Sequence, residues 1–358
     1  MRASYDICIA GTGAFAQAII EGIIFQSDVS LNIIIFGRSQ EKLDELSHKA
    51  SVINHLSRCK HVIHSCVVNT ESVSSIARSL SKCAIKYLVI CSSLQTPNEK
   101  KTKISKWSDL ISLYFALSTP LHTLVAARYI SALDKINADT IVVNACFPDA
   151  VNPLIASFTH RKVIGVGNIG TIAAFMKGRD LKGNFNPQLL AHHVHLGPRK
   201  APEDVQPRIW LDGHEVTWTN RYLNHMYITS RSEINRLGAY SAAKTLCSLV
   251  SGISCNDHLV GVFGLPGGYP VIIREGYAEL RLPENISVKD AVQWNIQAGK
   301  ADGIECIDDG IMSFTENAVS AVRSLNIDFP NEIKLNNLNM VEKTAKNFIS
   351  LRNEIRAL

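Results

Sequence analysis

The stretch LLAHHVHLGP (189–198) holds three histidines in four positions, His192, His193 and His195. Imidazole titrates near neutrality and also ligates transition metals, so the cluster reads either as a proton-transfer site or as part of a metal centre. As a strand, it sends His192 and His193 to opposite faces and sets His193 and His195 on one face. No cysteine or carboxylate stands at the usual ligand spacing. Only Glu203, Asp204 and the distant His214 could complete a set, so no metal is expected. A second constellation is AYSAAK (239–244), where Tyr240 and Lys244 stand four apart. On a helix they share a face, an arrangement in which a lysine eases proton loss from a tyrosine. Tyr240 is therefore read as a cleft residue, against the alternative of a packing tyrosine.

These groups need something to act on. AGTGAFA (10–16) follows an apolar run and opens a helical one. It places Gly11, Gly13 and Ala16 in a G-x-G-x-x-A pattern. The first glycine allows a tight turn, and the second lets the backbone approach a pyrophosphate at the helix N-terminus, beside Ala14 and Phe15. The small third residue lets the helix pack on the strand. The chain is therefore expected to bind a dinucleotide. FGRSQEK (36–42) ends the next strand with Arg38 and Ser39 and without a carboxylate. An acidic residue there would hold ribose hydroxyls, whereas Arg38 suits a 2′-phosphate and Ser39 adds a hydrogen bond. The expected cofactor is NADP, with NAD second.

The elements that must position these residues alternate in the first 150 residues. Apolar runs at 5–11, 31–37, 61–67, 86–93 and 139–146 read as strands. Helical stretches lie at 14–27, 39–50, 73–82 and around 108–135, with Ser39 the N-cap of the second. Such alternation predicts right-handed crossovers and a parallel, doubly wound sheet of the Rossmann type. The second half reads as strand-like pieces around the histidines, a long helix over 220–253, two or three antiparallel strands over 259–283, and helices at 287–303 and the C-terminus. The expected architecture is α/β, with a 1–150 NAD(P)-binding domain and a 151–358 α+β catalytic domain containing antiparallel strands.

Bulk properties narrow the classes. The 358 residues are 46% hydrophobic, enough for a large core, and carry a net charge of only +5 without a Lys/Arg block, which argues against nucleic acid. No apolar run reaches the length of a membrane span and no signal peptide is visible. The nine cysteines include no C-x-x-C and sit largely in apolar runs, which suits free thiols in a reducing compartment. A cytoplasmic protein acting on a small molecule, without membrane partners, is expected.

In order and spacing, VVNACFPDAVNPLIA (142–156), KVIGVGNIGTIAAF (162–175), LAHHVHLG (190–197), EINRLGAYSAA (233–243) and the segment from GLPGGYP to QWNI (264–296) resemble the lactate/malate dehydrogenase superfamily. The resemblance runs from about residue 5 to 303. It implies that His193 exchanges a proton with the substrate oxygen while the nicotinamide transfers hydride. It also implies that Asn144 positions nicotinamide or substrate, and that the protein forms homo-oligomers, dimers or tetramers. Three family features are missing. NIGTIAAF has Gly170 or Thr171 where an aspartate would orient the histidine, and Ala174 or Phe175 where an arginine would grip a carboxylate. The loop after the fourth strand offers Lys100, Lys101 and Lys103 but no arginine, and lysine lacks the planar fork. Lys101, Lys177, Arg179 and His195 are the residues left to contact substrate. The expectation is an NAD(P)-dependent oxidoreductase for a carbonyl or alcohol other than simple lactate or malate. The alternatives are a dinucleotide-binding sensor or scaffold without turnover, and an imine- or opine-type reductase.

Overall fold

The computed structural model describes residues 2–96, 99–178, 186–197, 202–216 and 219–358, and of Thr102 and residues 219–222 the backbone alone. Its first half alternates as β1 (Ala3–Ala10), α1 (Ala14–Gln26), β2 (Asn32–Gly37), α2 (Gln40–Leu56), β3 (Val62–Val67), α3 (Val73–Leu80) and β4 (Cys83–Ile90). Ser39 caps α2 by accepting from the Lys42 backbone N–H. The helical stretch expected around 108–135 is two helices. After the short α4 (Glu99–Thr102), α5 (Lys106–Leu113) and α6 (Thr119–Lys135) are separated by a 3₁₀ turn, and Pro120 sits in the first turn of α6, where its missing N–H costs nothing. Then follow β5 (Ile141–Asn144), α7 (Pro148–Ala156), β6 (Val163–Gly165) and α8 (Asn168–Lys177). The first six strands pair in parallel in the order β3-β2-β1-β4-β5-β6. Their near-continuous apolar runs are what strands covered on both faces require.

The second half begins with a small antiparallel sheet, β7 (Gln188–Leu190), β8 (Arg208–Leu211) and β9 (His214–Val216). The long helix expected over 220–253 breaks into α9 (Thr219–Ile228) and α10 (Arg231–Ser251), because Ser230 caps α10 through the Glu233 N–H. β10 (Cys255–Val260), β11 (Gly268–Arg274) and β12 (Tyr277–Leu280) are antiparallel, as expected. They extend the large sheet, with Val260 registered against Gly165, so nine strands run as one sheet across residue 150. The chain closes with α11 (Val288–Gly299), a three-stranded sheet of β13 (Ile304–Asp308), β14 (Ile311–Phe314) and β15 (Glu332–Lys334), α12 (Glu316–Arg323) and α13 (Leu338–Ala357). The fold is a doubly wound Rossmann sheet joined to an α+β second half with antiparallel strands. Among the described residues no single helix is long and apolar enough to cross a membrane.

Two apolar layers hold the large sheet. On one face, Phe36, Leu88 and Val142 pack with α6 and with the C-terminal residues Phe314, Phe329 and Phe348. On the other, Ile9, Ile35 and Val89 pack with α1 and α10. Tyr87 ties the second face to the antiparallel half, its hydroxyl donating to the Leu249 and Gly276 carbonyls, and burial pushes its pKa up to about 12. The junction of parallel and antiparallel strands depends on Gly165. A Cβ there would lie 2.3 Å from the Pro148 ring and 2.3 Å from the Val260 carbonyl oxygen. Gly165→Ala is expected to destabilise the protein by about 1–3 kcal/mol through overpacking, read as a lower urea midpoint with the circular dichroism of the folded state retained.

Candidate active site

At the carboxyl ends of the parallel strands lies a cleft of about 1260 Å³. It opens where the order reverses between β1 and β4, the position at which doubly wound sheets bind ligands. Gly11 follows β1 with φ +150°, and a Cβ on it would touch the Cys91 backbone at 3.0 Å. Gly13 begins α1 with no side-chain cap, and a Cβ on it would meet nothing within 4 Å. The first-turn N–H groups of α1 therefore face the cleft without a side-chain partner, the requirement for holding a phosphate. Ala16 is fully buried under the turn. Gly11, Gly13, Ala14, Phe15 and Arg38 all line the cleft. Arg38 is exposed and has no hydrogen-bond or ion-pair partner among the described residues. Ser39 does not line the cleft, because its hydroxyl is spent on the α2 cap.

The other end of the cleft contains His193. The histidine segment is not a strand but a 3₁₀ turn, His193–Leu196, following β7. Residues i and i+3 eclipse in such a turn. His192 and His195 consequently fall together on the inner side, and the His192 N–H donates to His195 Nδ1 at 2.8 Å. His193 alone of the three lines the cleft. Its backbone N–H donates to Asp149 Oδ1 at 2.9 Å, and Asn168 Nδ2 donates to Asp149 Oδ2 at 2.6 Å. Its ring stacks on Phe115 with centroids 4.6 Å apart and meets the edge of Phe147 at 5.2 Å. Its Nδ1 lies 2.8 Å from Asp302 Oδ2. Against a carboxylate, Nδ1 is the donor, so Nε2 is the ring nitrogen left for the cleft.

The carboxylate against His193 does not come from the Gly170–Thr171 stretch, where the resemblance leads one to look, but from Asp302. It comes from the turn after α11, 109 residues beyond the histidine it holds, and it has no solvent exposure. The arginine missing at Ala174 and Phe175 also has a counterpart. Arg231, the first residue of α10, lines the cleft half-buried, with no hydrogen-bond or ion-pair partner among the described residues. Burial lowers its pKa and the charge of Asp302 opposes that shift. His122 lines the cleft beside Phe115, its pKa pushed down to about 3 by burial, with the charge of His193 adding to the shift. Cys146 also lines the cleft, and burial pushes its thiol pKa up to about 12, which disfavours the thiolate.

Several sequence expectations land elsewhere. Asn144 is fully buried and does not line the cleft. Its carboxamide bonds Asn152 Oδ1 and the Cys146 backbone, closing the turn after β5. Tyr240 lies outside the cleft, facing α1 near Glu21 and under the Arg236 guanidinium, because Ala239, Ala242 and Ala243 turn the helix face that packs on α1. Lys177 lines a separate cavity. Lys101 is exposed on α4 and away from the cleft. His195 faces inward, its Nε2 on the Val205 carbonyl and its ring stacked on Trp294. Arg179 lies outside the described residues. Among the described residues no group of three or more His, Cys, Asp or Glu side chains is placed to hold a metal. The signals for Asp302 and Arg231 are an ordinary KADG and a helix-opening SRSE, and neither carries a spacing that announces its role.

No known family model matches the sequence, and no curated protein matches it significantly. Solved structures do match. The chain is similar to a 6-phospho-α-glucosidase from gut microorganisms, solved in complex with NAD and glucose-6-phosphate, with a TM-score of 0.57, 8% identity and 99% of each chain covered. It is also similar to the malate dehydrogenase from Salinibacter ruber, with a TM-score of 0.51, 10% identity, and 90% of this chain and 98% of that chain covered. The chain has a lactate/malate dehydrogenase-like fold. The likeness spans both halves, which fits the sequence resemblance noted from residue 5 to 303.

The buried histidines make stability depend on pH in a defined direction. Burial lowers the pKa values of His122, His195 and His258 to about 3 each. Their unfolded pKa is about 6.5, so the unfolded chain takes up protons first and stability falls as the pH drops from about 6.5 towards 3. At pH 5 each contributes a loss of about 2 kcal/mol. Urea midpoints are expected to fall steeply between pH 7 and 5, and His195→Gln is expected to flatten that slope while lowering the midpoint at pH 7.

Proposed function

We propose that the protein is an NAD(P)-dependent oxidoreductase that reduces a carbonyl, or oxidises the corresponding alcohol, on a substrate carrying an anionic group. The observation that carries the reading is the His193–Asp302 pair, set in the same cleft as the uncapped α1 N-terminus and the free Arg231. The cleft exceeds the usual 300–1,000 Å³ of a small-molecule pocket, as a dinucleotide with a substrate beside it needs.

The nucleotide end fits the proposed cofactor. Backbone N–H groups from Gly13 onward would hold the pyrophosphate, and the bare face of Gly13 admits its close approach. Arg38 would pair with a 2′-phosphate, and the absence of a carboxylate at the β2 tip supports NADP over NAD. The nicotinamide, when bound, supplies or accepts the hydride. His193 Nε2 gives a proton to the substrate oxygen during reduction and takes it back during oxidation. Asp302 fixes the tautomer that leaves Nε2 available and stabilises the charged ring that forms. Arg231 presents a planar fork to a carboxylate or phosphate on the substrate. Phe115 and Phe147 wall His193 in and exclude water.

The sensor or scaffold alternative rested on a missing aspartate and a missing arginine. Asp302 and Arg231, brought to this end of the cleft from other elements, favour turnover over that reading. The test is to titrate the protein with NADPH and NADH, then follow absorbance at 340 nm across a panel of anionic carbonyls and imines. NADPH is expected to bind tighter than NADH, and Arg38→Ala to cost NADPH about tenfold. Once a substrate is found, His193→Asn should lower kcat roughly 10²–10⁴-fold without weakening the cofactor, and Asp302→Asn should act in the same direction. Arg231→Met should lower kcat/KM about 10–100-fold, mainly through KM. Cofactor binding without oxidation by any member of the panel would return the sensor reading, and turnover with imines alone would select the imine reductase.

A further inference from the structure

A second cavity, about 830 Å³, is bordered by other residues of α8 and α10. Both helices serve both spaces. Asn168 and Thr171 of α8 line the cleft, while Ala173, Ala174 and Lys177 line the cavity. Arg231 and Asn235 of α10 line the cleft, while Tyr240 and Lys244 line the cavity. Part of the wall is apolar, from Ala173, Phe175 and Leu237, and the polar part comes from Lys177, Lys244, Asp257 and His258.

Among the described residues the charges in this cavity do not balance. Asp257 is its carboxylate, and it already accepts from Thr245 Oγ1 at 2.6 Å and from the His258 N–H at 2.8 Å. Burial lowers the pKa of Lys177, the attraction of Asp257 opposes that shift, and the repulsion of Lys244 and Arg281 adds to it. Neither lysine has a hydrogen-bond or ion-pair partner among the described residues. His258 is 2% exposed, neither ring nitrogen makes a hydrogen bond within normal geometry, and the Pro187 carbonyl is the acceptor nearest to favouring its proton. Arg281 likewise leaves Nε and Nη2 buried without partners. Two lysines beside one engaged carboxylate, with the Arg281 charge close behind Lys177 and an unused buried imidazole, make an environment that an anion would stabilise.

We propose that this cavity is a second ligand site, for a small organic anion whose phosphate or carboxylate group is held by Lys177, Lys244 and His258 while its apolar body rests on Phe175 and Leu237. The volume suits a metabolite rather than a lone ion. The site is independent of the cofactor reading, since its residues take no part in the cleft.

Calorimetric titration of the full chain with inorganic phosphate, and separately with malonate, tests this, and the stronger of the two identifies the anionic group. Saturable binding is expected that persists in Arg38→Ala and Arg231→Met, which alter the cleft, and weakens at least tenfold in the Lys177→Met/Lys244→Met double variant. Should the double variant lose the circular dichroism of the folded state, the exposed Lys244→Met alone is expected to weaken binding at least threefold. Absence of saturable binding of either anion to the unaltered protein would overturn the proposal. So would binding that the cleft variants abolish and the lysine variants leave unchanged.

Discussion

A carboxylate with no solvent exposure is expensive unless it is paired, and Asp302 is the point on which the reaction end of the cleft turns. Its position is over-determined. The turn that carries it ends at Gly303, whose φ of +93° terminates the 3₁₀ turn after α11. His193 presents Nδ1 to it at 2.8 Å, and His192 Nδ1 stands 3.6 Å away. The histidine is held in turn from its backbone by Asp149, which is anchored by Asn168. Four segments, the N-termini of α7 and α8, the histidine turn and the turn after α11, thus meet at two carboxylates. Displacing any of them leaves a buried charge without its partner, a cost of several kcal/mol. The geometry of the histidine is in this way secured by electrostatics that the fold cannot relax.

The same economy shows in how the halves join. The parallel sheet does not stop where the nucleotide-binding pattern stops. Val260 continues it through Gly165, and the C-terminal segment returns to cover the opposite face with Phe314, Phe329 and Phe348. α10 packs on α1 through Ala242 and Ala243, where Gly22 leaves the room. The helix that begins with Arg231 is therefore fixed directly against the helix that begins with Gly13. Arg231 and the uncapped N-terminus of α1 are set relative to one another by a helix pair rather than by a loop.

Much of this was legible from the chain. The β1–α1–β2 unit, the Ser39 cap and the antiparallel strands after 255 follow from patterns confined to a few neighbouring residues. His193 was singled out by its place in the order of segments. The features that escaped are those that depend on what lies beside a residue in space. A strand reading of LLAHHVHLG pairs His193 with His195, whereas the 3₁₀ turn pairs His192 with His195 and frees His193. The spacing of Tyr240 and Lys244 places them on one helix face, but the alanines of α10 decide which way that face looks. Asp302 and Arg231 reach this end of the cleft from parts of the chain where no motif marks them. A search for side chains at a fixed spacing passes over them, because the fold and not their place in the chain brings them there.

The separation between His193 and its carboxylate has a further consequence. During synthesis the cradle around Gly13 can assemble once the early strands have emerged. The His193–Asp302 pair cannot form until residue 302 has left the ribosome and α11 has docked. An intermediate folded only through β6 lacks Asp302 and also the α10 and α13 residues that complete the cleft wall. The cleft therefore takes its final shape only after α10, the turn after α11 and α13 have all docked, which ties its two ends to the folding of the whole chain.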